Sequence, residues 1–255
     1  MNRKITLYLA APPDRAGSAS KTAYVSLMGY RIGRSFHLYR MALPHEPCRL
    51  MDVDCTGFSG YGPHSLLIDE IMCECAFCGY YGIVMDLDRR KTAALEVFAS
   101  RLAAAAAERG IALYLPEEYA SVGEKVHALL FHGLRGGFRE YLSRSSELFG
   151  ADRLAVVIDC SYVMYCLSSA ERTGSVLSEE HFSAVCAKHS PVFRYSPELC
   201  VNYITYKESG KTYLVFWDDE RSVNEKLSAA EAVGVRDAFL FYPQVSGFIE
   251  NIARR

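Results

Sequence analysis

The sequence predicts an α/β protein of the (β/α)8 TIM-barrel type. Strand-like apolar runs alternate with helical patterns along the chain, as a parallel sheet with crossover helices requires. One of those runs, Gly79-Tyr80-Tyr81-Gly82-Ile83-Val84-Met85-Asp86-Leu87-Asp88, ends in two acids spaced two apart. Residues i and i+2 of a strand point to the same side, so Asp86 and Asp88 are expected to face the same way. An apolar strand that presents acids at its C-terminal end is the pattern of a catalytic barrel strand. The length of 255 residues, 50% of them hydrophobic, suits one such barrel with a full core.

The elements follow in order. Residues 5–10 read as a first strand, and 36–43 and 50–55 as further strands without obvious helices between them. The barrel is therefore open to abbreviation in its N-terminal part. Residues 64–78 are helix-like and lead into the strand that ends in the acids. Residues 91–109 form an amphipathic helix: Leu95, Phe98 and Leu102 share a face, and Gly110 stands at the C-terminal cap. A strand at 111–115 is closed by Pro116, and another is expected at 126–131. A helix at 138–149 stops at Gly150, and 154–158 is a β-branched run. Ser222-Val223-Asn224-Glu225 reads as a capping box that opens a helix ending at Gly234, before a last strand at 235–242. No linker, low-complexity tract or internal repeat interrupts the chain, so residues 1–255 are read as a single barrel domain.

A net charge of -2 gives no electrostatic case for nucleic acid or an anionic membrane. The apolar stretch at 5–11 is too short for a secretory signal, and no run approaches the ~18 apolar residues of a membrane span. The nine cysteines are odd in number and scattered, which argues against a disulfide framework. Cys73, Cys75 and Cys78 cluster, but no second half of a zinc site stands at a recognisable spacing. They are read as reduced thiols on a helix, with no metal.

The last third of the chain carries a family likeness. Tyr203 to Ser222 resembles a hairpin followed by a W-F-E-D-A-R-S segment, filled here by Phe216, Trp217, Asp218, Asp219, Glu220, Arg221 and Ser222. With residues 111–119 and 223–238, the chain resembles a family 18 glycoside hydrolase over roughly residues 64–244. The likeness is nearest to the spore-germination and cortex-lytic N-acetylglucosaminidase branch. The signature of that family, D-x-x-D-x-D-x-E at the end of the fourth strand, is degenerate here. Its first two acids fall on Tyr81 and Val84, its third on Asp86, and its glutamate on Asp88. The sixth-strand tyrosine falls near His132, and the eighth-strand tryptophan on Phe241.

The resemblance implies substrate-assisted hydrolysis of N-acetylhexosamine polymers such as peptidoglycan or chitin. Asp88 would be the acid and Asp86 would orient the acetamide; Tyr81, His132, Glu117 and Phe241 would be substrate-binding, with no cofactor. Asp88 is one methylene shorter than glutamate, and a reacting group misplaced by ~1 Å can cost about 10²-fold. Two alternatives therefore stand open. One is a hydrolase, its activity weakened or lost; the other is a catalytically inactive barrel that binds glycan or serves in spore assembly. The expected partner is an N-acetylated glycan, and the expected location cytoplasmic or spore-associated. Asp52 and Asp54, alternating with Met51 and Val53, fit a barrel interior or mouth. Glu117 and Glu118 are more often surface residues, Trp217 core, and Tyr114, Tyr119, Tyr162 and Tyr165 packing rather than sugar-stacking surfaces.

Overall fold

The computed structural model describes residues 4–41, 48–132, 136–168 and 174–255. Eight parallel strands close into a barrel: Thr6–Ala11, Tyr24–Ile32, Leu50–Asp54, Gly82–Asp86, Ala112–Pro116, Val126–Phe131, Leu154–Ile158 and Asp237–Phe241. The first pairs with both the second and the eighth, which closes the ring. Side chains of alternate residues meet inside, where Tyr8, Leu50, Val84, Tyr114, Leu129, Ala155 and Phe239 form the interior core. Residues of the opposite parity, among them Leu9, Met51, Ile83 and Leu113, pack outward against the helices.

The barrel is abbreviated near its start. One helical turn, Ala16–Ala19, follows the first strand. Among the described residues no helix follows the second; a short strand, Leu38–Arg40, turns back and pairs with it antiparallel. That segment replaces most of the strand expected at 36–43, whose last two residues lie outside the described residues. The second strand itself was not expected from the sequence. Its register slips between Met28 and Tyr30, a bulge at Gly29 that turns Tyr30 from the interior to the helix side. There the Tyr30 hydroxyl donates to Glu74 at 2.8 Å.

From the third strand onward the barrel strands and the helices between them match the sequence reading closely. Helices His64–Cys78, Ala93–Glu108 and Phe138–Phe149 follow the third, fourth and sixth strands, with a 3-10 turn, Glu117–Val122, after the fifth. Thr92 caps the second of these helices by accepting the Leu95 N–H at 3.3 Å, and Gly110 leaves it at φ +66. The last long helix, Glu220–Val233, opens one turn earlier than its expected box: Asp219 is the N-cap and Ser222 the reciprocal partner. Glu225 is occupied instead by Arg221 at 3.1 Å and by the Tyr195 hydroxyl.

Between the seventh strand and that helix the chain inserts an antiparallel five-stranded sheet. It contains Tyr162–Cys166, Ser175–Leu177, Arg194–Ser196 and the hairpin Val201–Glu208 with Lys211–Trp217. Only the hairpin was legible from the sequence. Helix Glu179–His189 covers one face, where Phe182 packs on Ile204, Tyr206 and Val215. No helix among the described residues is long and apolar enough to cross a membrane. None of the nine cysteines, all of them described, forms a disulfide.

Candidate functional site

The C-terminal ends of the barrel strands form a mouth whose inward positions carry charge. On the third strand Asp52 and Asp54 share the inward parity, and Asp54 lies in register with Asp86 of the fourth. Asp52 is the deeper of these. Burial raises its pKa to about 7, with Asp86 and Asp54 adding to the rise and the Ser26 hydroxyl, 3.2 Å away, opposing it. Asp86 sits higher, one edge open to solvent. Burial and the charge of Asp54 raise its pKa, while Arg89 pulls it down. Asp54 is held below the usual carboxylate range by the Thr56 N–H, which it accepts at 2.8 Å, and by Arg31.

Asp88 stands apart from this group. The strand ends at Asp86, and a tight turn, with the Leu87 N–H donating to the Met85 carbonyl at 3.0 Å, breaks the alternation. Asp88 is exposed, and its carboxylate folds back on Arg90. It accepts the Arg90 backbone N–H at 2.9 Å and the guanidinium at 2.9 and 3.3 Å. Those bonds lower its pKa. Two acids of one motif thus titrate in opposite directions.

The other expected site residues divide between the two barrel ends. His132 follows the sixth strand at the mouth, edge-on to Phe138 at 5.0 Å, and burial lowers its pKa. Phe241 closes the eighth strand, half-buried at the inward parity. Glu117 begins the turn after the fifth strand and accepts the Tyr141 hydroxyl at 2.8 Å. Tyr81 does not belong to the mouth. It precedes the fourth strand by one residue and lies five residues before Asp86, about 16 Å away at ~3.3 Å per residue. The odd spacing turns it to the other face as well. It lies exposed at the opposite end of the barrel, with the Arg49 guanidinium 3.8 Å from its ring centre.

A cavity of about 230 Å³ opens between the mouth and the inserted sheet. Arg89, Phe131, His132 and Asp159 line it from the barrel, and Tyr165, Phe216 and Trp217 from the insertion. Phe216 lies 6.1 Å from both Tyr165 and Tyr203, so that the sheet presents an aromatic ladder to the barrel. Aromatic faces of this kind stack on the apolar faces of sugars. Trp217 has two roles: it packs on Phe182 at 5.0 Å and borders the cavity. At the far wall Lys226 and Asp218 form a buried ion pair, with the Ser222 hydroxyl donating to Asp218 at 2.7 Å. Asp159 accepts the Ser161 N–H and the Gln244 amide, each at 2.9 Å.

Sequence reasoning passed over Asp159 and weighed Arg89 only as a perturbing charge. The signal for Asp159 was available, since 154–159 repeats the pattern of an apolar run closed by an acid. Arg89 offered no comparable signal, because its direction depends on the turn at Leu87.

No family model and no curated protein matches the sequence. Solved structures do match. The spore cortex-lytic enzyme SleL of Bacillus megaterium superimposes with a TM-score of 0.66 at 12% identity, over 98% of this chain and 74% of that one. A class V chitinase of Nicotiana tobaccum in complex with NAG4 gives 0.69 at 11% identity, over 98% of each chain. A family GH18 chitinase of Cycas revoluta in complex with allosamidin gives 0.67 at 13%, over 97% and 98%. At such identities the likeness is one of architecture: the chain has the fold of the family 18 glycoside hydrolases.

Proposed function

We propose that the mouth and its adjoining cavity bind a strand of N-acetylated glycan of the peptidoglycan or chitin kind, and that Asp88 does not act as the acid that would cleave it. The observation that carries this reading is the Asp88–Arg90 pair. Substrate-assisted hydrolysis needs a carboxylic acid that still holds its proton when the glycosidic oxygen leaves. At the ordinary aspartate pKa of ~3.9, about one carboxyl in a thousand is protonated at pH 7. Asp88 is held below that range and turned to solvent. Binding is supported by the aromatic ladder facing the cavity. A structural neighbour captured with NAG4 supports the same class of ligand.

A second reading, hydrolysis with Asp86 as proton donor, is favoured by one observation: burial and Asp54 raise its pKa. Mass-spectrometric product analysis separates the two, using chito-oligosaccharides and peptidoglycan strands with wild type, Asp86→Asn, Asp88→Asn and Asp88→Glu/Arg90→Ala. The proposal expects binding without cleavage by wild type, and cleavage gained when a freed glutamate stands at 88. Cleavage by wild type that vanishes only in Asp86→Asn would establish the second reading. Cleavage that vanishes in Asp88→Asn would overturn the proposal.

A further inference from the structure

Among the described residues, Arg89 lines the cavity without an ion-pair partner. Lys226 also lines it, but Asp218 compensates that charge. Arg89 has its guanidinium carbon 3.8 Å from the centre of the Phe131 ring, a stacked contact that fixes the group without using its N–H donors. Among the described residues no carboxylate lies within ion-pair distance of it and no acceptor within hydrogen-bond distance. Asp86 feels its charge without touching it. Arg89 is exposed to the cavity rather than buried, and an arginine held by stacking with a free fork of donors can receive a carboxylate in two parallel hydrogen bonds. Across the cavity Asp159 has acceptor capacity left for hydroxyl or amide donors of a sugar.

We infer that the site selects glycans bearing a carboxylate on the sugar, such as the lactyl group of N-acetylmuramic acid, over neutral N-acetylglucosamine polymers, and that Arg89 is the residue that reads it. The inference rests on the glycan-binding reading above and deepens it. The arriving carboxylate meets Asp86 nearby, and the burial that favours the protonated form of Asp86 eases their repulsion.

The chain has a single tryptophan, Trp217, on the cavity wall, so its fluorescence reports occupancy of this site. Three probes are titrated: chitotetraose, a peptide-free tetrasaccharide of alternating N-acetylglucosamine and N-acetylmuramic acid, and that tetrasaccharide with its carboxylates converted to methylamides. Wild type is expected to hold the free acid about tenfold more tightly than the methylamide, the size of one charge-assisted hydrogen bond. Arg89→Gln should bring that ratio close to one, and Arg89→Lys, which keeps the charge and loses the fork, should retain part of it. Raised salt should shrink the wild-type ratio. Equal binding of free acid and methylamide by wild type, or an unchanged ratio in Arg89→Gln, would overturn the assignment and leave glycan binding standing. If none of the three probes binds, the glycan-binding reading fails and the assignment falls with it.

Discussion

The two ends of the barrel are made from the same eight strands and solve opposite problems. At the lower end Tyr8 stacks on Phe239 at 5.0 Å, and the Tyr114 hydroxyl donates to Asp237 at 2.9 Å. Tyr114 also stacks on His127 at 4.7 Å. Tyr114 and Asp237 are paired there and the rings fill the space, while the buried Nδ1 of His127 has no hydrogen-bond partner among the described residues. At the mouth, Arg89 and Asp159 line open volume, and Arg89 stacks on Phe131 with no ion-pair partner among the described residues. The packed interior and the proposed binding site therefore occupy different ends of the same strands, and substitutions should separate them.

The largest effect is expected at the lower end. Phe239→Ala empties the ring between Tyr8 and Tyr114 and should cost about 3–5 kcal/mol of stability in urea unfolding. Arg89→Gln should leave the unfolding midpoint in place. A comparable loss from Arg89→Gln would break the division between the ends. Lys226→Met, on the cavity wall, strands the buried Asp218 charge and should cost about 3–5 kcal/mol, much of it recovered in Lys226→Met/Asp218→Leu.

Asp52 sharpens the comparison through pH. Its folded pKa of about 7 lies above the unfolded value near 3.9, so the folded state holds the proton more firmly. Stability should be fullest below about pH 4 and fall as pH rises to 7, by about 2–4 kcal/mol, and Asp52→Asn should flatten that window. Unfolding midpoints measured from pH 4 to 8 check both. The smallest effect belongs to Arg90→Ala, which should leave stability unchanged while the Asp88 carboxyl titrates at higher pH.

Much of this architecture was legible in the sequence because the later strands and helices are local in their signals. Helices His64–Cys78 and Phe138–Phe149 fall on the expected residues, as their apolar spacing and terminal glycines dictate. The second strand was not, since the bulge at Gly29 interrupts its alternation. The inserted sheet hid for a related reason: its shorter strands take their place from antiparallel neighbours rather than from a period of their own. At the candidate site, the motif placed Asp86 at the C-terminal end of the fourth strand, where the structure has it. Whether its two acids share an environment was settled by the turn at Leu87, a single backbone hydrogen bond that no side-chain pattern announces. Tyr81 was misplaced because motif spacing was read without strand length, which carries it to the far end of the barrel.

The central claim is that Asp86 and Asp88, two residues apart, occupy opposite electrostatic environments. Carbon-detected NMR titration of the aspartate carboxyls, assigned with Asp86→Asn and Asp88→Asn, measures this directly. The account predicts that Asp86 titrates above the usual aspartate range and Asp88 below it, and that Arg90→Ala moves only Asp88 upward. A raised Asp88 pKa in the wild type would contradict it, for the residue at the position of the family acid would then be poised to give up a proton.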